Sequence, residues 1–286
     1  MKPAPFQYHA PKTVADAVAL LAAHAGDDGR ILAGGQSLVP TMAFRLARPA
    51  HLIDINNVEG LDCIAEAGGR LCIGATVRHA AFHKPVTAGP LGALLSAVVR
   101  HIAHYPIRQR GTFCGSLAHA DPASEWCCVA AALDAELVAR SARGERVIQA
   151  AAFFDGAMTT TLAEDELLAE ARLPLLPEGT KFGFQEFSRR AGDFAIAMAL
   201  VAFRVEGGRI ADARIGIGGA EPAARRIAKA EAALDGAAPG KDAFAAAADA
   251  AAAAMDPMED VNTSAGYRRD LVRTLVRRAL EDAAAA

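Results

Sequence analysis

The sequence predicts an α+β chain: two α/β subdomains followed by a C-terminal unit of antiparallel strands and helices. Three observations predict it. Strand, helix and strand signals alternate from Phe6 to Ile55; hairpin signals take over from Gly60; and beyond the linker Pro174–Gly179 one long apolar hairpin leads into three helical segments.

The composition is that of a folded protein. Of the 286 residues, 52% are hydrophobic and 22% charged, and the formal net charge is -3. That leaves apolar surface for a large core and no basic field for non-specific nucleic-acid binding. Met1-Lys2-Pro3-Ala4-Pro5 lacks the apolar centre of a signal peptide, and no run reaches the length of a membrane span. A cytoplasmic location without stable membrane insertion is the expectation. The five cysteines, Cys63, Cys72, Cys114, Cys127 and Cys128, show no C-x-x-C spacing, so they read as small buried thiols and not as metal ligands or a disulfide frame.

In chain order, Phe6–Tyr8 reads as a short strand. Thr13 then caps a helix whose residues Val14, Ala17, Val18 and Leu21 recur at helical spacing. Ile31–Ala33 and Leu52–Ile55 are strands on either side of a short helical segment at Thr41–Leu46. Ile64–Ala67 and Leu71–Gly74 form a hairpin about Gly68-Gly69; Thr76 caps a short helix, and Leu91–Ile102 forms a longer one. Glu136–Arg140 and Arg146–Ala150 make a second hairpin, and Leu167–Leu173 is a strand stopped by Pro174. Two prolines and a glycine without periodicity mark Pro174–Gly179 as the domain boundary. Phe182–Ser188 alternates like a strand, and Ala199–Val205 and Ile210–Ile217 flank the turn Gly207-Gly208. Helices are expected at Glu221–Leu234, Ala243–Ala254 and Ser264–Ala283, the alanine-rich one close against the sheet and the arginines of the last largely outside.

Three stretches rich in glycine and polar residues are candidate binding loops. Gly111–Trp126 runs from glycines and small hydroxyl residues into Asp121-Pro122, an N-cap and first-turn pair for the helix that follows. It is either an ordinary capped helix or a helix entrance offering N–H groups to an anion. Ala33-Gly34-Gly35-Gln36-Ser37 directly follows a strand; it is neither a spaced-glycine dinucleotide fingerprint nor a Walker loop, and is open between a tight turn and an anion-binding nest. Arg189-Arg190-Ala191-Gly192-Asp193-Phe194 is a polar turn before an apolar strand. Arg108 and Arg110, just ahead of the second motif, are surface charges or face a phosphate or a partner.

Ala33–Ser37, then Arg110–Pro122, then Arg189–Phe194, with the C-terminal run Tyr267-Arg268-Arg269 to Leu280, resemble in this order the FAD-binding medium subunit of molybdenum hydroxylases, the carbon monoxide dehydrogenase and xanthine dehydrogenase family. The likeness spans essentially the whole chain. It implies a two-subdomain FAD-binding domain of the PCMH type over residues 1–176, divided at about 57/58, and a C-terminal domain over 177–286. It implies that Ala33, Gly34, Gly35, Gln36 and Ser37, with Thr112, Gly115 and Ser116, hold the FAD pyrophosphate through backbone N–H groups and hydroxyls. Asp121 matches a cofactor-holding position, and His119 is a loop residue or a direct contact. Asp193 and Phe194 match positions near the flavin ring, where relatives often carry tyrosine; phenylalanine keeps the stacking face and lacks the hydroxyl. Cys114 stands where many relatives have glycine, which a backbone of negative φ at this position would tolerate.

The resemblance further implies an oxidoreductase without catalytic residues on this chain. A molybdenum cofactor on a large molybdopterin-binding subunit would oxidise the substrate, and a small [2Fe-2S] subunit would pass electrons to FAD, in a dimer of heterotrimers. Two other readings stand beside it: a stand-alone FAD-dependent oxidoreductase of the same superfamily, which would need substrate-anchoring charges near the ring, and a non-enzymatic assembly subunit whose glycine turns are only turns.

Overall fold

The structure is a computed structural model that describes residues 2–285; Met1 of the opening segment and Ala286 lie outside the described residues. The first unit is a three-stranded parallel sheet in the order β1 (Gln7–His9), β3 (His51–Asp54), β2 (Gly29–Leu32). Helix α1 (Val14–His24) is capped as the sequence predicts: the Thr13 hydroxyl accepts from Asp16 N–H at 3.1 Å, and Ala17, Val18 and Leu21 are buried. The short helix α2 (Leu38–Ala43) joins β2 to β3.

The second unit is an antiparallel five-stranded sheet in the order β4 (Ile64–Ala67), β5 (Arg70–Gly74), β10 (Leu167–Pro174), β6 (Glu136–Ser141), β7 (Gly144–Gln149). Between β5 and β6 lie four helices: α3 (Gly89–Val98), α4 (Tyr105–Arg108), α5 (Phe113–His119) and α6 (Glu125–Ala132). A two-stranded ribbon, β8 (Phe154–Gly156) and β9 (Thr159–Thr160), precedes β10. The third unit is an antiparallel sheet in the order β11 (Lys181–Phe187), β12 (Ala197–Glu206), β13 (Arg209–Gly218), β14 (Arg225–Arg226), followed by helices α7 (Ala228–Leu234), α8 (Lys241–Ala254) and α9 (Ala265–Ala285).

Strand β12 shows why the last sheet is the centre of the molecule. Its run Ala197–Phe203 is apolar at every position, the pattern of a strand covered on both faces. Ala197, Ala199, Val201 and Phe203 enter the core shared with α7, α8 and α9, while Met198 and Leu200 enter the core of the first two units. Helix α6 lies on that second face. Its approach depends on Gly216, where a Cβ would stand 2.5 Å from the Ala132 Cβ.

Several local expectations are corrected. Asp121 does not cap a helix: its Oδ1 accepts from Ala123 N–H at 2.9 Å in a turn, and α6 starts four residues later with Ser124 at its N-cap. The real cap is Thr112, whose hydroxyl accepts from Gly115 N–H at 3.1 Å and starts α5 inside the stretch read as a loop. The short helix expected from Thr76 is a 3-10 turn at His79–His83 that follows Arg78. Helix α3 stops at Val98, and Ala103 beyond it takes a left-handed φ of 41°. The helix expected from Glu221 begins only at Ala228. Glu221 instead receives both Arg225 and Asp256 N–H beside a bend at 221–223, and Arg225–Arg226 pair with β13 as β14 before the helix begins.

The alanine-rich α8 packs on α7 and α9, not closely along the sheet. Phe244 is its reach to the strands, with its ring centroid 6.4 Å from that of Phe203. Arg268 departs from the expected outward arginines, being 6% exposed in the first turn of α9. Cys114, Cys127 and Cys128 are buried as expected, while Cys72 is half-buried and Cys63 exposed.

Candidate functional site

The two glycine motifs, far apart in sequence, meet edge to edge. A Cβ at Gly34 would stand 2.4 Å from the Arg110 carbonyl oxygen and 2.7 Å from Gly111 Cα, so the first loop lies directly on the backbone of the second. Gly35 adopts φ +70°, the left-handed region that favours glycine and turns the chain from β2 into α2. Gly111 has a different reason: a Cβ there would lie 2.6 Å from His79 Nε2. Gly115 leaves room for the Thr112 cap hydroxyl, 2.4 Å from where its Cβ would be.

A chain of polar contacts fixes the two loops together. Asn56 Nδ2 donates to the Ala33 carbonyl at 2.8 Å, Arg78 donates to Asn56 Oδ1, and Arg78 also donates to the Arg110 carbonyl. Backbone bonds sew the same region: His79 N–H donates to the Gly111 carbonyl at 2.9 Å and Phe113 N–H to the Val77 carbonyl at 3.0 Å. Sequence reasoning missed Asn56 and Arg78. They carry no motif, because their partners lie on distant segments.

Beneath the second loop Phe82, Phe113 and Trp126 form a buried aromatic cluster with centroid separations of 4.8–5.6 Å. Trp126 Nε1–H donates to His79 Nδ1 at 2.9 Å, which assigns the imidazole proton to Nε2. Burial, helped by Arg108 and Arg78 nearby, pushes the His79 pKa down to about 3, so the ring is neutral.

The loops line one wall of a cleft of about 820 Å³. Ala33–Ser37, Thr112, Gly115, Ser116, His119 and Asp121 all reach it, and Gly192, Asp193 and Phe194 close it from the C-terminal domain. Every candidate residue from the sequence is therefore in one place. Phe194 is 77% exposed at the rim, with its face free to take a planar ring. Gly192, at φ +85°, is pressed by the His104 ring, whose Cε1 lies 2.3 Å from where a Cβ would be. Cys114 is helical without positive φ and sends its thiol away from the cleft, toward the Ile73 carbonyl at 3.5 Å. The backbone here thus accommodates a side chain without strain. Arg108 is structural: it donates to the Ile102 and Ala103 carbonyls at 2.6 and 2.8 Å and clamps the turn after α3.

The cleft wall also holds a buried carboxyl that no motif announces. Burial raises the Glu125 pKa to about 7. Glu186 on β11 sits on the other side of the domain junction, raised to about 8 by burial and by the charge of Glu125. His101 Nδ1 is 3.9 Å from Glu186 Oε2, too far for a hydrogen bond, and burial lowers the His101 pKa. The pair is thus held neutral, not ionic.

Because its ordinary pKa is 4.5 and the folded value is about 8, Glu186 keeps a proton that the unfolded chain releases between those values. Stability therefore falls as pH rises through that window. Glu186→Gln is expected to flatten the fall, gaining on the parent by on the order of 2–4 kcal/mol at pH 9 compared with pH 5. Denaturant unfolding at the two pH values reads it, and an equal difference at both would refute the buried neutral acid.

The cleft suits a large planar cofactor with an anionic linker: two loops of small residues make room for it, and one rim carries an aromatic face. Comparison with known proteins agrees. Residues 4–176 match the family described as FAD binding domain in molybdopterin dehydrogenase, and residues 182–283 match the CO dehydrogenase flavoprotein C-terminal domain. The chain is 40% identical to the nicotine 6-hydroxylase medium subunit of Paenarthrobacter nicotinovorans, over 100% of this chain and 99% of the relative. It is 38% identical to the carbon monoxide dehydrogenase medium chain of Hydrogenophaga pseudoflava, over 99% and 98%. Among solved structures, carbon monoxide dehydrogenase from that organism superposes with a TM-score of 0.95 at 40% identity, covering 100% of this chain and 99% of that one. Quinoline 2-oxidoreductase from Pseudomonas putida 86 gives 0.91 at 35%, with 100% and 99% covered. The fold is thus shared over the whole chain, and the chain belongs to the FAD-binding medium subunits of the molybdenum hydroxylases, the carbon monoxide dehydrogenase family.

Proposed function

We propose that this chain holds FAD in the cleft and relays electrons from a small [2Fe-2S] subunit to an external acceptor, while a large molybdopterin-binding subunit oxidises the substrate. The observation that carries it is the abutment of Gly34 on Arg110–Gly111 at the wall of a cleft closed by Phe194. Two independent glycine loops at one wall match the two phosphates of a dinucleotide linker.

In this reading Ala33–Ser37 and Thr112–Ser116 receive the diphosphate, with the Asp121 turn and His119 bordering it. Asp193 and Phe194 meet the ring system, Phe194 by its face. Bound there, FAD accepts electrons singly and releases them in pairs. The protein positions and buries it. Glu125, protonated below about pH 7, offers the cleft an O–H in place of a fixed negative charge.

The likeness to the medium subunits over nearly the full length of both chains supports assembly with a large and a small subunit, as a dimer of heterotrimers. Among the described residues no helix is long and apolar enough to cross a membrane, which is compatible with a cytoplasmic enzyme. The relatives named for nicotine, carbon monoxide and quinoline differ in substrate, as expected where substrate chemistry lies on another subunit.

The test begins with the purified chain and FAD. One bound flavin per chain, absorbing near 450 nm, is expected, and a chain that stays colourless loses the cofactor reading. Co-expression with the two adjacent-type subunits should give one co-migrating complex whose substrate reduces the bound flavin. Bound flavin that stays oxidised in that complex would leave FAD binding intact and remove the relay.

A further inference from the structure

Three histidines converge on the first sheet, remote from the cleft. His9 ends β1, His51 begins β3, and His24 ends α1. The strand register explains the convergence. Gln7 pairs with His51 and His9 with Ile53 on parallel neighbours, so His9 and His51 stand two positions apart on one face. Helix α1 packs on β2 and β3, and its last residue, His24, joins the pair.

All three rings are half-buried. His9 Nε2 lies 3.0 Å from His51 Nδ1, and one ring nitrogen from each of the three falls within 4.8 Å of the others. His24 stacks on His51 with centroids 3.7 Å apart and planes at 9°. Neither a core nor a surface needs three imidazoles packed so closely.

We propose that His9, His24 and His51 bind one divalent transition-metal ion of the zinc or copper(II) type. Two imidazole nitrogens on a tetrahedral zinc, each at about 2.0–2.1 Å, stand roughly 3.3–3.4 Å apart. The pair His9 Nε2 and His51 Nδ1 is already within a few tenths of an ångström of that spacing. The third ligand needs His24 to turn its ring out of the stack, a rotamer change at a part-exposed side chain. Neutral nitrogen donors without a carboxylate or thiolate among them favour zinc, copper or nickel and disfavour magnesium and calcium. A three-histidine set leaves at least one coordination position for water.

The site is independent of the cleft. His51 pairs with Gly29 at the amino end of β2, whereas Ala33–Ser37 follows the carboxyl end of that strand. None of the three histidines lines the cleft. A bound ion would staple β1, α1 and β3 to one another and would raise their stability by mass action.

The experiment titrates the chelator-stripped full chain with Zn2+ by calorimetry, and with Co2+ by its visible absorption. One ion per chain with a micromolar or lower Kd is expected, together with a zinc-dependent rise in Tm. His24→Ala and His51→Ala should each weaken Zn2+ binding at least tenfold while FAD content stays at the parental level. Absence of saturable binding overturns the proposal. So does binding that survives in both variants, which would place the ion elsewhere, for instance on the exposed Cys63.

Discussion

Gly34→Ala is expected to lower FAD affinity by roughly 30- to 100-fold, about 2–3 kcal/mol, and to leave the chain folded. The new Cβ would stand 2.4 Å from the Arg110 carbonyl oxygen and 2.7 Å from Gly111 Cα. Both are backbone atoms, so no side chain can rotate out of the way, and relief must come from moving the two loops apart. The bridge from Ala33 through Asn56 and Arg78 to Arg110 resists that movement, which concentrates the strain at the cleft wall. Gly35→Ala is the informative companion. Its nearest neighbours are the ends of Leu32 and Val39 side chains at 3.1 Å, and its penalty is chiefly that of φ +70°. It should cost only about 1–2 kcal/mol. Fluorescence titration of the apo chain with FAD, with far-UV circular dichroism as the folding control, measures both. A folded Gly34→Ala chain with parental affinity would show that the abutting loops do not form the cofactor cradle.

The largest stability effect is expected at Arg268. Its guanidinium donates to the Ile196 and Gly219 carbonyls, each at 2.7 Å, and to Asp260 Oδ2 at 2.6 Å. It thereby ties the start of α9 to the entry of β12 and the exit of β13. Arg268→Ala strands one buried and one part-buried carbonyl oxygen and removes the packed stem, for an expected loss of about 3–5 kcal/mol. In a chain of this size that lowers Tm by on the order of 10 °C. Arg269→Ala, which forfeits one bond of 3.3 Å to the Met255 carbonyl, should cost less than about 1 kcal/mol. Unfolding by urea compares the neighbours directly. Equal losses for the two would mean that Arg268 is not the tether.

The contrast between those adjacent arginines shows the limit of the sequence. Helical periodicity set the last helix at Ser264–Ala283, and the structure places it at Ala265–Ala285. It also put the arginines outside, because nothing in the local pattern says that two strand-end carbonyls await one of them. The same division holds across the chain. The Thr13 cap and the hairpin about Gly207-Gly208 were legible because each is set by neighbours a few residues away, whereas the burial of β12 on both faces comes from remote elements. Asp121 misled for the converse reason. Asp-Pro is a sound helix start by local rules, yet here the carboxylate closes a turn, α6 starts only after Ser124, and Thr112 caps a separate helix upstream.

What the sequence determined by itself was the family, the α+β architecture and the residues that line the cleft, since short motifs keep their local backbone requirements wherever they lie. The tertiary structure decided why those residues are needed. Gly34 is small for the sake of Arg110, Gly111 for the sake of His79, and Gly115 for the sake of Thr112. It also decided the Asn56–Arg78 bridge, the raised pKa values of Glu125 and Glu186, and the meeting of His9, His24 and His51. All of these depend on segments distant in sequence being brought within a few ångströms, and on a burial that exists only once the sheets and helices have packed.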